Sequence, residues 1–296
     1  MIGDVRDDLS AVHVAQPGVH AAGTLRATPN PALPQLVAAT QATLARIAAD
    51  FAPAVFASSL AAEDMVLTDL ILKAGLPIRI FTLETGRLHA ETLAMLDRVQ
   101  ATYGYTIEPY RPEPQAVAAY VAANGLNGFY DSVALRQECC RIRKVEPLNR
   151  ALAGNAAWVT GQRRAQSSTR ASLDVQENDP ARNMQKFNPL ADWSEDDVWE
   201  YIHAQAVPYN PLHDQGYPSI GCAPCTRAIE PGEDVRAGRW WWENPESKEC
   251  GLHVVDGKLV RIKPAATMVA GTALNAPQPP ADPVVDVSSK NPITSV

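Results

Sequence analysis

The sequence predicts an α/β fold, a parallel twisted sheet with helices on both faces. Three observations lead to it. Short apolar runs alternate with longer amphipathic stretches, which is the pattern of βαβ units. Gly and Pro punctuate the handovers between them. Several strand ends run straight into stretches rich in Ser, Thr, Gly or Arg, and open α/β sheets bind their ligands outside the carboxyl ends of their strands.

Residues 1–33 carry little periodicity and several turn-formers, among them Pro17, Pro29 and Pro31, so an arm is expected. Thr40 to Ala49 is a short helical run. Val55 to Ser58 is a buried strand, and Asp64 to Lys73 a helix that Gly75 and Pro77 end. Ile78 to Leu83 is the next strand. His89 to Tyr103 is an amphipathic helix with Leu93, Leu96 and Val99 on one face. Tyr105 to Tyr110 is a third strand and Pro114 to Ala123 a third helix. A helix over Gln137 to Leu152 then leads to a strand over Ala157 to Thr160, and Asn183 to Asn188 reads as another strand. Ser194 is an N-cap with Asp197 as the acid three residues on, opening a helix through His203. Pro208 to Pro218 is loop. The turn Asp256-Gly257 between apolar residues is a weak hairpin signal, and from Pro264 the composition is that of a disordered tail. The expected organisation is an arm (1–35), an α/β domain (36–235), a C-terminal segment (236–263) and a tail (264–296).

Size and charge exclude several classes. A chain of 296 residues fits one large α/β domain or two modest ones. A net charge of -7 argues against a general nucleic-acid binder, whose footprint is basic. No apolar run approaches the ~20 residues that cross a bilayer. The acidic N-terminus, with Asp4, Asp7 and Asp8, matches neither a signal nor a transit peptide. A reducing, cytoplasmic location is expected, where paired cysteines serve as metal ligands or redox groups.

Five stretches carry chemistry. Ser58-Ser59 to Asp64 lies where a strand enters a helix. Hydroxyls and free N–H groups there suit phosphate or sulfate, or simply cap the helix, and no Walker loop is present. In Thr85-Gly86-Arg87, the arginine can meet an anion or lie solvated on a turn, and His89 reads as a helix-start residue. Gly161 to Arg170 holds Arg163, Arg164 and Arg170 after a strand, which favours an anion pocket over a solvated loop. Cys139-Cys140 and Cys222-x-x-Cys225 form a quartet. Adjacent cysteines close poorly on one small zinc ion, so an iron–sulfur cluster is favoured over zinc, with paired redox disulfides third. Cys250 is left over, beside Lys248, Gly251 and His253, with Arg236 and Arg239 upstream. Positive charge makes thiolate available near neutral pH, so a nucleophile is favoured over a buried small hydrophobe. Trp240-Trp241-Trp242 reads as packing.

Taken together and in this order, these stretches resemble the adenylyl-sulfate/phosphoadenylyl-sulfate reductase family. The resemblance runs from Phe51 to His253. It rests on Ser58-Ser59 to Asp64, Thr85 to His89, Cys139 to Leu148, Gly161 to Arg170, Asn188-Pro189-Leu190 with Asp192-Trp193, Gly221-Cys222 to Thr226, and Glu249-Cys250-Gly251-Leu252-His253. Glu84 departs from the aspartate common in the family's Leu-Asp-Thr-Gly. The resemblance implies an adenine-nucleotide alpha-hydrolase-like fold, like that of N-type ATP pyrophosphatases, with a modified pyrophosphatase loop at Ser58. Members with both cysteine pairs look like reductases that bind a four-iron four-sulfur (4Fe-4S) cluster and generally use adenosine 5′-phosphosulfate, though some accept the 3′-phosphorylated nucleotide.

The implied reaction has the Cys250 thiolate attack the sulfur of adenosine 5′-phosphosulfate, leaving S-sulfocysteine and AMP. A thiol of reduced thioredoxin then releases sulfite. Arg163, Arg170, Ser58 and Ser59 would hold the phosphosulfate, with Thr85, Gly86, Arg87 and Gly161 around it. Lys144, Arg236, Arg239 and His253 would neutralise charge near the reacting sulfur. The family forms homo-oligomers, so a dimer or tetramer is expected. A nucleophile that meets first a bound nucleotide and then a protein partner needs a movable mount, which Gly251 and the late position of Cys250 suit. Competing readings are an ATP-dependent sulfurtransferase, disfavoured by the missing Gly-Gly of its loop, and a non-catalytic cluster-binding regulator, which would not need Cys250. In a reaction with sulfur-labelled nucleotide, Cys250→Ser is expected to abolish the labelled sulfo-enzyme and keep the cluster chromophore. Retained label removes Cys250 as nucleophile.

Overall fold

The computed structural model describes residues 28–166, 170 and 172–243. The first element is α1 (Leu33–Asp50). It starts before the expected Thr40 because Pro34 sits in its first turn, where a missing N–H costs nothing. Just before it, Asn30 donates its backbone N–H to Glu200 and its side-chain amide to Asp197. Next come β1 (Ala54–Ala57), α2 (Ala62–Lys73), β2 (Ile78–Leu83), α3 (Ala90–Tyr103), β3 (Glu108–Tyr110) and α4 (Pro114–Asn124). β3 starts later than expected. Where it falls short, the Tyr105 hydroxyl takes the Ile80 N–H of β2. In α3 the buried face is Thr92, Met95 and Val99, with Leu96 partly covered and Leu93 exposed rather than inside.

The expected helix over Gln137 to Leu152 is three joined pieces: α5 (Val133–Cys140), a wider π-helical turn (Arg141–Val145) and α6 (Glu146–Leu152). Pro147 has no N–H to return to the carbonyl four residues back, and its ring crowds that carbonyl. The ladder widens instead, with the Glu146 N–H bonding Arg141 O. Then follow β4 (Ala157–Val159), β5 (Gln176–Asp179), β6 (Met184–Phe187) and α7 (Glu195–Ala204). Ser194 and Asp197 form the expected capping box. The expected loop after α7 contains a short 3-10 turn, Pro211–Gln215.

Among the described residues the sheet order is β3-β2-β1-β4-β6-β5. All pairs are parallel except β5 with β6. That antiparallel edge is absent from the sequence reading, since Gln-Glu-Asn-Asp shows no apolar alternation. The strands alternate their faces, as their period of two requires. Ala54 and Phe56 pack with α1, α2, α3 and α7 residues on one side, while Val55, Phe81 and Trp158 meet Leu148, Ala151 and Leu152 of α6 on the other. Helices thus cover both faces.

Buried Asp69 ties three helices together. It accepts hydroxyl hydrogen bonds from Tyr103 (2.8 Å) and Tyr201 (2.7 Å) and pairs with Lys73 at 3.0 Å. Burial, then these bonds to Asp69, push both phenol pKa values up. Asp69→Ala is expected to lower stability by about 3 kcal/mol, because a buried and a half-buried hydroxyl lose a charged acceptor. Urea titration checks this as a fall in midpoint at constant slope.

Candidate active site

The strand order reverses at β1, which lies between β2 and β4. Ligands bind at such a switch point. A cleft of about 380 Å³ opens there, lined by Ser58 and Ser59 after β1 and by Gly161, Gln162 and Arg163 after β4. The loop after β1 is internally held. The Ser59 N–H (2.6 Å) and hydroxyl (2.5 Å) both donate to Asp64, and the Ala62 N–H donates to His213 Nε2 at 3.2 Å. Leu60 adopts φ +64°, a left-handed conformation held by complete burial of its side chain. Gly161 closes on the same acid, since a Cβ there would stand 2.1 Å from Asp64 Oδ1. Burial lifts the Asp64 carboxyl to about 6, aided by the Glu63 charge and opposed by the bonds from Ser59 and Gly161.

Arg163 is likewise engaged. It donates to Glu63 Oε1 from Nε (3.0 Å) and Nη2 (2.8 Å), and Gln166 donates to the same oxygen. Burial raises the Glu63 pKa, but the Arg163 charge and these bonds outweigh it and leave the carboxyl below its usual range. Arg170 donates to Gln166 and also lines the cleft. Glu195, at the start of α7, lines it too, its pKa raised by burial. Ser59 and Arg163, expected to hold an anion directly, therefore already hold carboxylates of this chain. The sequence reading did not assign roles to Glu63, Gln166, Glu195 or His213. Only the acid content of the Glu63-Asp64 stretch signalled any of them.

The other end of the cleft is cationic and meets the cysteines. Lys144, Arg236 and Arg239 line it. Lys144 stands on the π turn and also lies near enough to Cys139 and Cys225 to stabilise their thiolates. Arg239 lies across Gly221, where a Cβ would come within 2.6 Å of its guanidinium, and stacks on Trp240 at 4.7 Å. Cys222, Cys225, Phe129 and Trp240 form a buried cluster against which Cys139 and Trp242 pack. Cys140 is buried nearby and acts electrostatically on Cys225. Thr85 places its hydroxyl 3.3 Å from Cys222 Sγ, and its carbonyl accepts from Arg143 at 2.7 Å. Burial pushes the Cys139 and Cys225 thiols up. Gly86 and Arg87 fall outside the cleft lining. Gly86 donates to Glu84, while Arg87 donates to Leu126 O and Asn127 and stacks on Phe129. Arg87 is therefore a structural clamp here and not a cleft cation. Glu84 uses its extra methylene to reach both the Gly86 N–H and Arg111.

The model of the phosphoadenosine phosphosulfate reductase domain matches residues 53–228. The chain belongs to this reductase family. It is 62% identical over 231 residues to the adenosine 5′-phosphosulfate reductase of Burkholderia cepacia, covering 77% of this chain and 92% of that one. It is 62% identical over 221 residues to the enzyme of that name from Allochromatium vinosum, covering 75% and 86%. Among solved structures it resembles the phosphoadenylyl-sulfate reductase of Candida auris in a phosphate complex, with TM-score 0.55, 26% identity, and 66% and 97% of the two chains covered.

Cys139, Cys140, Cys222 and Cys225 are free thiols, a donor set whose chemistry suits an iron–sulfur cluster. Cys139, Cys222 and Cys225 share one aromatic pocket with Cys140 close to Cys225, and Arg136, Arg143 and Lys144 lie close enough to offset thiolate charge. Two buried indole N–H groups there, of Trp240 and Trp242, find no acceptor among the described residues. No three His, Cys, Asp or Glu side chains among the described residues converge on a single ion. Cys250 and His253, like the expected hairpin and tail, lie outside the described residues.

Asp64 makes stability depend on pH. A carboxyl raised to about 6 in the fold keeps a proton that the unfolded chain releases near pH ~4. The folded state therefore binds more protons across that window, and stability falls as pH rises through it, by roughly 1 kcal/mol per pH unit. Asp64→Asn is expected to flatten this slope in urea titrations run between those pH values.

Proposed function

We propose that this chain reduces adenosine 5′-phosphosulfate to sulfite and AMP in assimilatory sulfate reduction, with Cys250 as nucleophile. The observation that carries the reading is the cleft whose cationic end, Lys144 with Arg236 and Arg239, adjoins four gathered cysteines. The name shared by relatives 62% identical to it supports the same substrate.

In the first step Cys250 sulfur bonds to the sulfuryl sulfur, and the bond from that sulfur to the bridging phosphate oxygen breaks. AMP leaves with the electron pair. Lys144, Arg236, Arg239 and His253 neutralise the anion as the thiolate approaches. Arg170 and Arg163, with Ser58, Ser59 and Thr85, complete the seat. Glu63 and Asp64 keep Arg163 and Ser59 in fixed orientation before substrate arrives. In the second step a thiol of reduced thioredoxin attacks Cys250 sulfur and sulfite leaves. The second thioredoxin thiol resolves the mixed disulfide, so the dithiol supplies both electrons.

Cys139, Cys140, Cys222 and Cys225 are assigned as ligands of a 4Fe-4S cluster. When bound, it would contribute fixed charge beside Lys144 and pin α5 to the Cys222 turn. A cytoplasmic homo-oligomer, dimer or tetramer, is the assigned form. No described helix is long and apolar enough to cross a membrane. The organisation proposed is an arm, an α/β domain, a nucleophile-bearing segment and a tail, divided near residues 35, 235 and 263.

A second reading, use of the 3′-phosphorylated nucleotide, is favoured by the name of the Candida auris relative. Sulfite release with thioredoxin, measured on anaerobically purified protein with each nucleotide, decides between them. The expected result is a preference for adenosine 5′-phosphosulfate on the order of 100-fold or more in kcat/KM. Equal use establishes dual specificity, and no sulfite from either overturns the assignment.

A further inference from the structure

One buried ion pair plays no part in the reaction as derived so far. Arg136 of α5 and Glu243 are 0% and 3% exposed. They meet in a bidentate pair, Nε to Oε1 and Nη2 to Oε2, both at 2.8 Å. Arg136 precedes Cys139 by three residues and Cys140 by four, so it shares their face of the helix. It bonds the Cys140 side chain and lies 4.7 Å from the Trp240 ring centroid. Glu243 is equally constrained. Its N–H donates to Trp240 O, and the Trp240 N–H donates to Cys225 O. The pair thus touches Cys140 directly and reaches Cys225 through Trp240.

Glu243 is also the last described residue before Cys250, which follows seven positions later. Seven residues span at most about 25 Å. The point at which this pair holds the chain therefore bounds where the Cys250 thiol can reach.

We propose that Arg136–Glu243 is a positioning pair. It moors the stretch that leads to Cys250 onto the helix that carries Cys139 and Cys140, and so sets the thiol's encounter with substrate. This rests on Cys250 being the nucleophile. A planar, always-charged fork is the group for such a fixed mooring, because two parallel bonds define direction as well as distance.

The test uses the full chain purified anaerobically, with iron content and visible absorption read for every variant. Glu243→Gln keeps the shape and removes the charge, while Glu243→Asp keeps the charge and shortens the arm. Single-turnover formation of the labelled sulfo-enzyme and steady-state KM are measured for each. The expected result is adduct formation slowed at least 10-fold in Glu243→Gln, with KM within about 2-fold of the parent and iron retained. Glu243→Asp recovers part of the rate. An unchanged adduct rate overturns the proposal. So does loss of iron in both variants, which would make the pair a cluster support only. If the parent itself forms no labelled adduct, or Cys250→Ser still does, the reading of Cys250 fails instead, and the two failures are distinguished.

Discussion

The parallel pairing of β1 with β4 is the constraint on which the molecule depends. Ala54 sits opposite Ala157 and Phe56 opposite Val159, so the two strands end nearly level. The chain leaves β1 toward α2 and leaves β4 toward the Arg163 turn, and the parting of those two turns opens the cleft. Asp64 spans the gap, holding Ser59 of one turn and lying against Gly161 of the other. A side chain at residue 161 would push the turns apart.

Charge is then divided between the two ends of that cleft. At the β1–β4 end the carboxylates of Glu63, Asp64 and Glu195 lie among the hydroxyls and Arg163. At the cysteine end Lys144, Arg236 and Arg239 dominate. Burying a charge without a partner is costly, and the guanidinium of Arg163 meets that cost through Glu63. The result is a polar wall whose donors are oriented in advance.

Much of this was legible in the sequence, because much of it is local. Short apolar runs marked β1, β2 and β4, and the Ser194–Asp197 capping box sits within four residues. The polar strand β5 was not legible, since its stability comes from pairing with β6 rather than from a buried face. Cationic residues were recognisable as such, but their partners were not. Glu63 and Arg163 are 100 residues apart, and Arg136 and Glu243 are 107 apart. Arg87 shows the same limit. Its turn suggested a ligand, while the fold supplied Asn127 and Phe129.

The π turn after Cys140 carries a consequence for how this region tolerates change. In an α-helix each residue advances the side-chain direction by about 100°. The extra residue in Arg141–Val145 rotates Lys144 and α6 relative to the face that bears Cys139 and Cys140. Deleting a residue between Cys140 and Lys144 would leave Pro147 without its N–H, so the ladder would stay broken, and it would shift Lys144 by about 100° around the helix from the thiols. The length of this turn, together with the Lys144 side chain it carries, sets where the cation meets the thiols.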